Sequence, residues 1–455
     1  MSPWQAGLVL AGLLALASFS KYEVIFGIFL VVTGWNAPYF LIDLGSRRLP
    51  FEWALIAIVG GLALLRMTEA KSYVISERAK LTGCFILFWA AWITLTSALN
   101  GFKGYTFGLA FYFPATRYVL PALGFWLFIR DARGLRAFAL AFVAASVLYA
   151  GVLMWLVSEV AAWSDEHWES VAQHEDALTF FYHSPAWMLT FAIIFTIIFI
   201  LRPAVSGRPI LARALWLPVL GFLYYALFFT GSRQATIGVL VASAVLLVLL
   251  LRTRFSTVVV VGLTAAAAVG ALMYLVSTDP ERMRFEMLGE GVTSRWANYE
   301  TMLSYFDRSP LIGCGLFYDP EQVHNIFLDA LAGQGLPGLL FLTGFLALGL
   351  RFTRGTAWRR CETEFEMWRL GAVAIFAALF WCAQVSMGVM TMNTLLWGML
   401  LVWRLHEIRP PEPATEGVEP SRVPSGESRR TGARRPAGSP PWGRGVEESP
   451  SGRNG

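Results

Sequence analysis

Three basic side chains have the chemistry to handle a phosphorylated substrate: Arg233 in "FFTGSRQATIGVL" (228–240), Arg295 in "GVTSRWANYETMLSYFDRSPLIGCGLF" (291–317) and His324 in "VHNIFLDALAGQGLPG" (323–338). A guanidinium presents a fork of donors that matches phosphoryl oxygens. An imidazole titrates near neutral pH and suits general-base work. Two arginines can therefore hold a pyrophosphate while one histidine deprotonates a hydroxyl. That combination points to group transfer from a phosphorylated donor. It needs no bound metal, and the chain shows no carboxylate cluster to hold one.

Each residue also has a plainer reading. Arg233 could anchor the protein to lipid phosphates, Arg295 could snorkel from an interfacial helix, and His324 could be structural. Their combination favours chemistry, because charge is scarce elsewhere and costly near a membrane. Thr293 or Ser294 reads as an N-cap, with Trp296, Tyr299, Leu303 and Phe306 on one face of the helix that follows. Ser294, Arg295 and the free N–H groups of that first turn would then form an anion site. In the third motif, Asn325 is suited to cap a short helix with Ile326, Phe327, Leu328 and Leu331 on its apolar face. Gly333, Gly335, Pro337 and Gly338 should break or kink the chain behind it, leaving a flexible corner.

The elements that must position these residues are membrane helices. The chain has 455 residues, of which 56% are hydrophobic and only 15% charged, with a mean hydropathy of +0.55. Soluble domains carry about a quarter charged residues. Apolar runs fall near 4–19, 24–42, 51–66, 81–99, 114–130, 135–158, 182–201, 211–230, 235–251, 256–276, 335–351, 366–388 and 391–403. Only helices or closed barrels satisfy their backbone in lipid, and runs this continuous do not alternate as barrel strands do. The expected fold is an all-α polytopic membrane protein with about twelve transmembrane helices. Residues 1–403 form the membrane domain, and 277–323 its main external loop, carrying short interfacial helices. Residues 404–455, rich in Pro, Gly, Ser, Glu and Arg, should be a disordered cytoplasmic tail.

Loop charge orients the bundle. "RDARGLR" (130–136), "RPAVSGRPILAR" (202–213), "RTR" (252–254) and "RFTRGTAWRR" (351–360) should be cytoplasmic. The stretches 159–181, 231–234 and 277–323 should then lie outside, which puts Arg233, Arg295 and His324 on one face. The net charge of +5 belongs largely to such loops and does not indicate nucleic-acid binding. Cys84, Cys314, Cys361 and Cys382 form no CxxC pair, so neither a disulfide framework nor a zinc site is visible.

"FTGSRQATIGVLVA", "SRWANYETMLSYFDRSPLIGCGLF" and "HNIFLDALAGQGLPGLLFL", in this order and spacing, resemble the O-antigen ligase and polymerase superfamily of bacterial envelope glycosyltransferases. The likeness covers roughly 228–350, and the span pattern carries it to about 404. It implies an undecaprenyl-pyrophosphate-linked glycan as donor and metal-independent transfer, without a cofactor, on the periplasmic face of the bacterial inner membrane. The acceptor would be a hydroxyl of lipid A core, another glycan or a protein. By the superfamily's pattern, the arginines matching Arg233 and Arg295 bind the donor pyrophosphate and the histidine matching His324 activates the acceptor. Asn325 would orient His324. Arg117, in "FPATRYVLPAL", begins a span near the same face and is a further candidate donor contact or a membrane anchor. The stretch between Arg295 and His324 is short for a lipopolysaccharide ligase, and the paired arginine–glycine spacing of the polymerases is missing. The resemblance therefore specifies the chemistry more closely than the acceptor.

Rival readings fit less well. A flippase for the same lipid would be compatible with broken helices, but coupled transporters usually carry ionisable residues in mid-membrane. An intramembrane protease lacks GxSxG and HExxH. His167 and His174 in "WSDEHWESVAQHED" read as a solvated amphipathic helix rather than a metal site, and His183 is a weaker rival base.

Overall fold

The computed structural model describes residues 21–34, 41–43, 48–69, 76–101, 112–172, 175–206, 215–230, 232–250, 288–315, 325–356, 363–385 and 393–408, with a few single positions between 262 and 277. The tail expected beyond 404 therefore lies almost wholly outside the described residues, as does His174.

The chain is mainly helical over the described residues, as continuous apolar runs require. In order it forms α1 (Tyr22–Gly34), α2 (Phe51–Glu69), α3 (Glu77–Leu99), a π-helical turn (Ala115–Val119), α4 (Leu120–Phe128), α5 (Ala132–Ala172), α6 (Glu175–Ser206), α7 (Trp216–Phe229), α8 (Arg233–Leu250), α9 (Leu288–Arg308), α10 (Ile326–Thr356), α11 (Glu364–Val385) and α12 (Asn393–Glu407). One departure from an all-α chain is a short antiparallel ribbon, β1 (Leu41–Asp43) with β2 (Arg48–Pro50), paired Leu41 to Pro50 and Asp43 to Arg48. Among the described residues, four helices are long and apolar enough to cross a membrane: Ala79–Leu99, Ala132–Gly151, Ile326–Arg354 and Glu364–Gln384. Tyr22–Gly34, Ala54–Thr68, Ala186–Leu201, Trp216–Phe229 and Gln234–Leu250 are shorter apolar helices.

Lipid offers apolar side chains no reason to bury themselves, so small residues and close packing must draw membrane helices together. Phe26, Phe125, Phe128, Phe138, Phe142 and Phe195 interlock α1, α4, α5 and α6, with ring centroids 5.1–6.0 Å apart. Gly124 makes room for the Phe26 ring: a Cβ there would sit 2.1 Å from its edge. α8 lies against α11 in the same way, with Gly238 placed so that a Cβ would fall 2.8 Å from Cys382 Sγ.

Polar bonds tie one end of the bundle together. Arg136 at the start of α5 forms an ion pair with Glu364 at the start of α11, and the Trp368 indole donates to the same carboxylate at 3.3 Å. Arg404 on α12 donates to the Ile129 carbonyl at 2.6 Å and pairs with Glu407 at 3.3 Å. Ser76, the N-cap of α3, donates to Glu407. Arg369 Nε donates to the Leu405 carbonyl at 2.9 Å. The basic loop 130–136 thus sits at the end where α3 and α11 begin, and the far ends of α3 and α11 lie at the candidate site.

Candidate functional site

The segment from Asn325 onward begins as a capped helix, as its sequence indicates. Asn325 Oδ1 accepts from the N–H groups of Phe327 at 3.0 Å and Leu328 at 3.1 Å. Its own side-chain N–H reaches the Gln384 carbonyl at 3.5 Å, which ties the start of α10 to the end of α11. His324 lies outside the described residues.

Ten residues after Asn325, α10 breaks at Gly335, whose φ of 68° and ψ of −170° belong to a region open essentially to glycine alone. The break exposes carbonyls that a continuous helix would satisfy, and Pro337 has no N–H to return to Gly333. Residues 310–315 supply what is missing. The Cys314 N–H donates to the Ala332 carbonyl at 2.9 Å and the Gly315 N–H to the Gly333 carbonyl at 2.8 Å, while the Leu336 N–H turns outward to the Pro310 carbonyl at 2.9 Å. The corner is therefore not the flexible hinge its glycines suggested. Glycine is needed because two backbones touch: a Cβ at Gly313 would lie 2.4 Å from the Gly333 oxygen, and one at Gly335 would lie 2.5 Å from the Leu311 oxygen.

The end of α3 completes this junction. Gln334 is fully buried; Thr96 donates to its side-chain oxygen at 2.6 Å, and the Trp92 indole donates to its main-chain carbonyl at 2.9 Å. Asn100 donates to the Thr96 carbonyl at 2.8 Å and the Gly313 carbonyl at 3.1 Å. Each bond satisfies a group that hydrocarbon could not. These residues were missed because their partners are more than 200 positions away in sequence. The available signal was the presence of glutamine and asparagine at the ends of apolar runs.

Arg295 and Ser294 lie within α9, which starts at Leu288. This corrects the expected N-cap at Thr293 or Ser294 and removes the free N–H groups of a first turn. No proline interrupts 281–309, and continuing backbone bonds outweigh the single bond a capping side chain offers. α9 packs on α10 through Met302 and Ala332, flanked by Tyr299, Tyr305 and Leu328. Arg295 lies seven residues before Met302 on α9, and Asn325 lies seven residues before Ala332.

Arg233 opens α8, and the preceding helix α7 ends at Phe229. The next residue, Gln234, presents its carbonyl to Cys382 Sγ at 3.4 Å. Two residues along α11, the Gln384 carbonyl meets Asn325. The end of α11 thus bridges the backbone beside Arg233 to the backbone beside His324.

Arg117 is buried in the π-helical turn, a geometry often found at functional sites. Its guanidinium carbon lies 6.0 Å from the Phe113 ring centroid. Pro121 has no N–H for the Arg117 carbonyl four residues back, and the Trp397 indole donates to that carbonyl at 2.9 Å. The adjacent Tyr118 is fully buried, with Trp89 and the Asp329 carboxylate as electrostatic neighbours. Asp329 is on the first turn of α10, where its N–H bonds the Asn325 carbonyl at 3.0 Å.

A bundle of long apolar helices, one of them broken and fastened by polar bonds, is the architecture of a multi-pass membrane protein. Residues 217–343 match the family model described as O-Antigen ligase. That segment holds α7, α8, α9 and the break in α10, and with them Arg233, Arg295, His324 and Asn325; Arg117 and Gln384 fall outside it. The match supports the O-antigen ligase and polymerase superfamily and an enzyme of ligase or polymerase type. No curated protein matches the chain.

Proposed function

We propose that this protein is a glycosyltransferase of about twelve membrane spans that moves a glycan from undecaprenyl pyrophosphate to a hydroxyl on the periplasmic face of the inner membrane. The observation that supports this assignment is the family match over 217–343, which spans Arg233, Arg295, His324 and Asn325. Asn325 at the start of α10 is tied to the end of α11 through Gln384, and that end of α11 to the start of α8 through Cys382 and Gln234.

His324 takes the proton of the acceptor hydroxyl as its oxygen attacks the anomeric carbon. The bond from that carbon to the pyrophosphate oxygen breaks, and undecaprenyl pyrophosphate departs with the bonding electrons. Arg233 and Arg295 hold the phosphoryl oxygens on which negative charge grows, an interaction worth most in the transition state. Arg117 adds positive charge beside the same helix end, and Asn325 orients His324. A single displacement inverts the anomeric configuration and uses no metal. The family match includes ligases and polymerases, so the acceptor is lipid A core, another lipid, a protein or the growing glycan itself.

Reconstitution in proteoliposomes with a lipid-pyrophosphate-linked glycan and a panel of acceptors tests this. Mass spectrometry should find glycan covalently joined to one acceptor. Movement of intact glycolipid between leaflets with no new glycosidic bond would identify a transporter instead.

A further inference from the structure

Two glutamines, at the start of α8 and the end of α11, carry buried amide atoms left unsatisfied by the described residues. The amide oxygen of Gln234 and the amide nitrogen of Gln384 are buried, and neither has a hydrogen-bond partner among the described residues. Buried polar atoms are rarely left so, and an unsatisfied one is costly inside a membrane protein. Their surroundings are not loose. α8 and α11 are pressed together at Gly238 and Cys382, and Cys382 Sγ lies 3.4 Å from the Gln234 carbonyl. The Gln384 carbonyl is engaged by Asn325 at 3.5 Å. The main chain of both glutamines is therefore fixed while one end of each side chain is unsatisfied, the condition of a preorganised contact.

Their places in the chain show what they would meet. Gln234 follows Arg233, and Gln384 touches the residue next to His324. We infer that Gln234 and Gln384 are donor-contacting residues that hydrogen-bond the polar head of the lipid-pyrophosphate-linked glycan. Gln384 gives its amide N–H to a phosphoryl or sugar oxygen. Gln234 accepts from a hydroxyl or amide N–H of the first sugar. The inference rests on the transferase assignment and adds to it a source of selectivity for the donor's sugar. A site built to pair a polar group discriminates strongly against a ligand that lacks it.

Leucine is close in size to glutamine and removes the unsatisfied atom. If these amides served only the fold, Gln234→Leu and Gln384→Leu would leave donor binding unchanged, since an apolar replacement of equal shape is neutral or stabilising. As ligand contacts, each should raise the donor KM about tenfold, with kcat within about twofold and melting temperature equal to or above that of wild type. A second reading needs no turnover: the same glycolipid should raise the melting temperature of the wild-type protein in detergent, and less so that of the variants. Wild-type donor KM and wild-type ligand stabilisation in both variants would overturn the assignment of the glutamines alone. So would a fall in melting temperature with donor KM unchanged. A wild-type protein that neither transfers the glycan nor is stabilised by the donor would overturn the transferase assignment itself, and this inference with it.

Discussion

Gly335 and Gly313 meet backbone to backbone: a Cβ on Gly335 would lie 2.9 Å from the Gly313 nitrogen. The contact explains why the apolar helix capped by Asn325 breaks itself ten residues later. The break lets the turn 310–315 dock onto α10 through three main-chain bonds, close to where α9 packs on α10 through Met302 and Ala332. Glycines that read as hinges in sequence are the points at which two chain segments are joined.

Gly335→Ala should therefore be destabilising, by about 1–3 kcal/mol for the backbone conformation alone, with a further cost for displacing the Leu311 carbonyl. Thermal unfolding in detergent should show the loss. Gly61→Ala is the control: it sits on α2 with nothing within 4 Å of its Cβ, and should leave the melting temperature unchanged or raised. Equal melting temperatures for the two variants would show that the 313–335 contact contributes nothing.

Asn325 has two separable duties. As an N-cap it is worth about 1 kcal/mol, so Asn325→Ala should lower stability and Asn325→Ser should restore most of it. Serine cannot reach the Gln384 carbonyl as the amide does. Transfer by Asn325→Ser should stay depressed even though the helix is capped. Full activity in the serine variant would reduce Asn325 to a cap.

The Arg136–Glu364 pair lies at the opposite end of the bundle, with side chains 34% and 16% exposed. Partial solvation limits its worth to about 1 kcal/mol. Arg136→Ala should lower the melting temperature modestly, and the double exchange Arg136→Glu with Glu364→Arg should recover part of it. Donor KM should be unchanged in both. A kinetic effect from this end would mean that the two ends of the bundle are coupled.

Local features were legible in the sequence, and long-range pairings were not. The Asn325 cap and the helical character of the described apolar runs follow from a few neighbouring residues each. The start of α9 was misplaced because a capping residue cannot end a helix whose own bonds continue past it. The docking of 310–315 on 332–336 was invisible because Pro337 and Gly335 indicate where bonds are missing, not which distant segment will provide them. The same applies to the Arg117 carbonyl, which a tryptophan 280 positions away satisfies. Gln234, Gln334 and Gln384 could have been noticed as amides in apolar surroundings, though only the fold shows that Gln334 fastens α3 to α10.

The most direct test compares wild-type protein with His324→Ala and Arg295→Ala in a purified transfer assay using a lipid-pyrophosphate-linked glycan, with and without EDTA. Both variants should keep the wild-type melting temperature and lose transfer by about a hundredfold or more, and EDTA should leave the wild-type rate unchanged. His324→Ala transferring glycan at the wild-type rate would contradict the assignment of the base, and with it the catalytic reading of the α10 entrance.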